Sequence, residues 1–182
     1  LPQIAGLAGE AKSYAERLFH YILIDTLIKN KAEDAVKVPI ERMGVSISSI
    51  ALDYILDKTG RYPFYIQAYS KIIWDESENP ISQANVENAY PSFITNLDEG
   101  FFKVRLDRTT GAEKKLLKTM ASFGTGPYSM NEVARRYGAK TNSISPHRSS
   151  LLKKGLIYSP DYNMINFTVP LFDDFIRRTL GS

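Results

Sequence analysis

The 182 residues are 43% hydrophobic and 24% charged, an ordinary globular composition with apolar material for one core or two small ones. The absence of cysteine excludes a disulfide framework, a thiol nucleophile and a Cys-based zinc site; His20 and His147 alone do not suggest a His-rich metal site. The net charge of +3 divides unevenly: residues 1–109 carry 12 Lys/Arg against 15 Asp/Glu, and residues 110–182 carry 11 against 5, so the second part is the one suited to a polyanion.

No stretch approaches the roughly 20 uncharged apolar residues of a membrane helix. The longest, Tyr21–Ile28, is broken by Asp25. A soluble, cytoplasmic protein without a membrane partner is expected. The first residue is Leu1 and not Met, which predicts a beginning cut from something longer.

In chain order, Leu1–Lys12 mixes Pro2, Gly6 and Gly9 in a loop-like pattern, and Ser13–Leu18 suits a short helix. His20–Ile24 suits a short buried strand or an extended crossing segment; a strand needs neighbours this chain does not supply and so implies a sheet upstream. Asn30 and Glu33 have capping-box spacing before Ala35, Val36 and Ile40; Gly44 should stop that helix and Pro39 should kink or break it. Ser49 is placed to cap a second helix ending at Thr59-Gly60, and Pro63 to open a third that carries Phe64, Ile66, Tyr69, Ile73 and Trp74. Ser82 should cap a fourth, interrupted near Pro91, with helix resuming over Phe93–Asp107. Trp74, Phe101 and Phe102 suit the core of this helical part.

A second module begins near Thr109-Thr110-Gly111. It predicts a helix over Ala112–Phe123, a Ser129/Glu132 capping box opening a helix closed by Gly138, and a third helix over Ile144–Lys154. Two β runs, Leu156–Ser159 and Met164–Val169, and a last helix after Pro170-Leu171-Phe172 complete it. Three helices with a tight second turn and a hairpin form the plan of a winged helix-turn-helix. The fold class expected is therefore mainly α: a helical bundle, then a winged helix-turn-helix with a small β-hairpin wing.

Leu1-Pro2-Gln3 through Gly9–Phe19 resembles bacterial and archaeal AAA+/STAND-like ATPases just after the sensor-1 strand. Thr59-Gly60-Arg61-Tyr62-Pro63-Phe64 is similar to the lid motif whose Gly and Pro border the nucleotide, although Arg61 stands where relatives often have Gly. Lys153–Pro160 and Phe167–Phe172 are similar to the family's C-terminal winged helix. The resemblance spans nearly the whole chain. It implies a remnant of the ATPase core at 1–28, a lid at 29–108 and the winged helix at 109–182. It also implies an upstream P-loop core as partner, ATP or ADP with Mg2+ as ligands of the full-length protein, and a homo-oligomer.

The chain contains no Gly-x-x-x-x-Gly-Lys-Ser/Thr and no apolar strand ending in paired acids; Asp173-Asp174 follows a proline and suits a helix N-terminus. Phosphoryl transfer rests on positioned cations and donors. No hydrolysis by this fragment alone, and no cofactor held by it alone, are expected.

Three groups of residues are candidates. Gly60, Arg61, Tyr62 and Pro63 can border a nucleotide, with Arg61 as a sensor-2-like cation; the same residues also serve a plain helix stop, turn and helix start. Arg17 lies where the family places an arginine finger, or is a surface residue beside Glu16. On the third winged-helix segment Asn142, Ser145, Ser149 and Lys153 should share an outer face with His147 and Arg148 on its flanks, while Lys140, Lys154 and Tyr162 reach backbone from turn and wing. That surface suits DNA or a protein partner. The alternative is a stand-alone winged-helix binding module on a helical scaffold.

Overall fold

The computed structural model describes Thr26–Gly181. The strand expected at residues 20–24, the candidate Arg17 and all but the last three residues of the 1–28 remnant lie outside those residues. The described chain forms two compact units that divide between Glu99 and Gly100.

The first unit is a bundle of four helices: α1 (Lys29–Arg42), α2 (Ser49–Thr59), α3 (Pro63–Glu76) and α4 (Gln83–Leu97). Apolar residues at helical spacing supply its core: Val36 and Ile40 from α1, Ile55 from α2, Tyr65, Tyr69 and Ile73 from α3, and Phe93 and Leu97 from α4. Tyr69 and Phe93 stack with ring centroids 4.6 Å apart. The Tyr69 hydroxyl donates to the Val86 carbonyl, which removes the cost of burying it. One device sets two helix starts. The α1–α2 and α3–α4 loops meet in a parallel bridge between Ile47 and Ile81, with Ile81 N–H donating to Ser46 O at 2.8 Å and Ser48 N–H to Ile81 O at 3.1 Å. The next residues, Ser48 and Ser82, are the N-caps of α2 and α4, and their hydroxyls accept from Ala51 N–H and Asn85 N–H.

Several sequence expectations change here. The cap of α2 is Ser48, not Ser49. Asn30 does not cap α1: its Oδ1 accepts from the adjacent Lys31 N–H inside a helix that already starts at Lys29. Neither Pro39 nor Pro91 ends its helix. Both prolines are exposed, so the carbonyl each leaves unpaired four residues earlier, on Ala35 or Glu87, is on a face open to solvent.

After α4 a π-helical turn, Asp98–Phe102, leads into the short helix α5 (Lys103–Leu106). The wider turn changes the helical phase. Phe102 consequently packs at 5.4 and 5.3 Å from the rings of Phe172 and Phe175, in the second unit and not in the bundle core.

The second unit continues with α6 (Gly111–Ala121), β1 (Tyr128–Ser129), α7 (Met130–Tyr137), α8 (Thr141–Lys153), β2 (Ile157–Tyr158), β3 (Met164–Phe167) and α9 (Phe172–Leu180). The strands form an antiparallel sheet in the order β1-β3-β2, with Tyr128 opposite Ile165 and Ile157 opposite Phe167. Helix, strand, two helices and a hairpin returning to the first strand make a winged helix-turn-helix. The fold is thus mainly α, a helical bundle followed by a winged helix with a small hairpin wing. Strand β1 escapes sequence reasoning because it is two residues long. It also changes the role of Ser129, which pairs with Met164 and gives α7 no side-chain cap bond.

Candidate nucleic-acid interface and nucleotide-facing turn

Helix α8 begins at Thr141, three residues before the sequence suggests, and runs through Pro146. Ile144 and Leu151 are fully buried on one side. At 100° per residue, Asn142, Pro146, Ser149 and Lys153 fall on the opposite side, and all four are exposed. Pro146 is on the open face, where the Asn142 carbonyl it leaves unpaired faces outward. At the head of the helix, Lys140 is exposed, and its ammonium makes no ion pair or hydrogen bond among the described residues. In the wing between β2 and β3, Tyr162 is 95% exposed.

Other candidates are committed within the fold. Ser145, half-buried, donates to the Thr141 carbonyl at 3.0 Å. Arg148, half-buried, donates to Ser159 Oγ and so ties α8 to the wing. His147 is half-buried. Lys154, just past the end of α8, holds Glu113 Oε2 at 2.6 Å. That carboxylate is 2% exposed. Burial pushes its pKa up, but the Lys154 ammonium, a Ser150 hydrogen bond and the Thr110 N–H outweigh burial and hold it at about 2. Glu113 also completes a capping box with Thr110 at the start of α6, so a single carboxylate joins the head of α6 to the tail of α8.

In the bundle, Gly60 (φ 56°) and Arg61 (φ 58°) are both left-handed. Arg61 N–H donates to Leu56 O and Gly60 N–H to Asp57 O, the paired bonds of a Schellman helix end. The left-handed region costs a side-chain-bearing residue about 1–2 kcal/mol. Arg61 is exposed, and its guanidinium has no partner among the described residues. Its carbonyl accepts from Leu27 N–H at 3.0 Å. Tyr62 turns inward, with its ring 4.8 Å from that of Tyr65. Pro63 is the first residue of α3 and lies at one end of a largely apolar groove of about 520 Å³ between α1 and α3. Leu27, Ile40, Met43, Ile66 and Trp74 are among its walls. The Ser70 hydroxyl, also in the wall, is buried with no hydrogen-bond partner among the described residues.

Known proteins offer limited likeness. A profile described as a domain of unknown function (DUF8462) matches residues 99–176, less than half of the chain. No curated protein matches. Among solved structures, Thermotoga maritima RuvB, described as a Holliday junction branch migration motor, is similar with a TM-score of 0.41 and 19% identity. The similarity covers 79% of this chain and 47% of that one. Single-site mutants of the same protein give the same TM-score. The chain thus spans about half the length of the solved chains it matches.

The structure therefore brings Lys140, Asn142, Ser149 and Lys153 to one edge of the second unit, turns Lys154 toward Glu113, and gathers Gly60 through Pro63 in one turn of the bundle. Two features escape sequence reasoning. The role of Glu113 has a local signal in Thr110-x-x-Glu113, which is capping-box spacing. The groove has one in Pro63, Ile66, Gln67, Ser70, Lys71 and Trp74, a single helical stripe. Neither signal names its partner. Among the described residues there is no cluster of three or more metal-ligating side chains, and no helix is long and apolar enough to cross a membrane.

Proposed function

We propose that this chain is the C-terminal part of an AAA+-type P-loop ATPase, with the bundle serving as a lid and the winged helix as a module that docks on duplex DNA. The observation that carries the DNA reading is the exposed polar stripe of α8 beside the uncommitted ammonium of Lys140. Asn142 and Ser149 are small hydrogen-bonding groups able to approach base edges, and Lys140 and Lys153 suit phosphates. For the lid, the exposed Arg61 guanidinium and the Pro63 ring fit the phosphate and base ends of a nucleotide. No phosphate cradle accompanies them, so an upstream core would hold ATP and Mg2+, and these residues would supply only a wall.

Anisotropy titration of a labelled mixed-sequence duplex from roughly 50 to 200 mM salt tests the DNA reading. Affinity should fall steeply with salt, and Lys140→Ala should reduce the slope by about 0.9, the value of one released counterion. Asn142→Ala with Ser149→Ala should weaken binding at every salt concentration, whereas Lys37→Ala in the bundle should not. Absent or salt-independent binding would sink it. A protein partner is the competing reading, favoured by the internal use of Arg136, Arg148 and Lys154.

A further inference from the structure

We propose that the winged helix is selective for A·T pairs, read in the major groove by Asn142 on adenine and by Pro146 on the methyl group of thymine. The inference rests on the duplex-DNA reading above and assigns it a base preference.

The open face of α8 carries a short and unequal set of groups. Asn142, Pro146, Ser149 and Lys153 fall within about 60° of one another at 100° per residue, and all four are exposed. No acidic residue lies on α8, and residues 110–182 carry 11 Lys/Arg against 5 Asp/Glu, so the face is complementary to a polyanion.

The residue types limit what this face can read. Guanine is read by Arg or Lys reaching O6 and N7 together, and cytosine by Asp or Glu accepting from N4. The single arginine of α8, Arg148, is half-buried and donates to Ser159 Oγ on the wing, with its Nε buried. Lys153 is the last residue of the helix, whereas base edges are approached by the first residues of a recognition helix. Lys140 stands at the N-cap, off the stripe, and suits the phosphates that flank a groove. Neither base of a G·C pair therefore meets its reader on the first turns of the stripe.

Asn142 meets the requirement of adenine. Its carboxamide makes no hydrogen bond among the described residues, so its oxygen can accept from adenine N6–H while its NH2 donates to N7. Against guanine the same oxygen would face O6, another acceptor; against cytosine the NH2 would find no N7. Pro146 lies one turn further, about 6 Å along the axis or roughly two base-pair steps. Its exposed ring is apolar, a surface that gains by covering a thymine methyl and gains nothing from the amino group of cytosine. The Ser149 hydroxyl both donates and accepts, and so adds contact without choosing a base.

Anisotropy titrations of the full chain at one salt concentration would compare two blunt duplexes of equal length, one with A·T pairs through its centre and one with G·C. The A·T duplex should bind about tenfold tighter, within the roughly 5- to 150-fold that one bidentate contact supplies. Replacing the central adenines by 7-deazaadenine, which puts C–H in place of N7, should remove most of that advantage from the parent and should not change binding of Asn142→Ala. Replacing thymine by uracil, which lacks only the C5 methyl, should weaken the parent severalfold and leave Pro146→Ser unaffected. Both base analogues act on unaltered protein, so the result does not depend on how a variant folds. Equal affinity for the two duplexes, with salt dependence kept, would overturn the base preference and leave the duplex reading standing. A preference that survives 7-deazaadenine would also overturn it, in favour of readout through groove shape. Binding to neither duplex would overturn both readings.

Discussion

At the residue scale, two side chains carry more than their sequence neighbours suggest. Glu113 is buried with three donors around it, and its pKa falls from 4.5 to about 2. A carboxyl held lower in the folded than in the unfolded chain stabilises the fold above its unfolded pKa, and that stability is lost as pH falls toward the folded value. Glu113→Gln should therefore cost about 2–3 kcal/mol at neutral pH, measured by urea denaturation. The gap between variant and parent should narrow as pH drops from about 4.5 toward 2. A gap that does not change with pH would show that the loss is one of packing. Arg61 is the converse case, a residue that destabilises its own turn. Arg61→Gly removes a left-handed side chain but adds the backbone entropy of glycine, for a net gain of about 0.5–1 kcal/mol. Thermal denaturation should register a higher midpoint, and duplex binding should be unaltered.

At the element scale, proline placement is informative. Pro39, Pro91 and Pro146 each lie inside a helix and on its open face. The interior penalty of about 3 kcal/mol against alanine includes a lost hydrogen bond, which solvent on the open side partly replaces. Pro146→Ala should stabilise α8 by about 1–2 kcal/mol, a share of that penalty. Because Pro146 lies between Asn142 and Ser149, the same variant should alter duplex affinity while Pro39→Ala leaves it unchanged. The helices themselves were legible from periodicity and from glycine stops at Gly44, Gly60 and Gly138. Their starts were not: Ser48 replaces Ser49 because the Ile47–Ile81 bridge fixes where the loop ends, and Ser129 is taken up by a strand pairing with Met164, far along the chain. Caps depend on backbone direction, which a distant contact sets.

At the scale of the whole molecule, the charge division between the two parts and the sequence order of bundle and winged helix were readable from residues alone. Helical spacing, Pro63 at a helix start and a β pair after three helices depend only on local stereochemistry and on which face is apolar. The exposed stripe of Asn142, Ser149 and Lys153 follows from the same rule. Tertiary structure alone decided that Lys154 spends its charge on Glu113, 41 residues away, that Arg148 holds the wing at Ser159, and that Phe102 serves the core of the second unit. It also decided that one stripe of α3 and one of α1 face each other across a space neither fills. Local sequence states what a side chain can do. Whether its charge or its apolar face remains available depends on neighbours that only folding assembles.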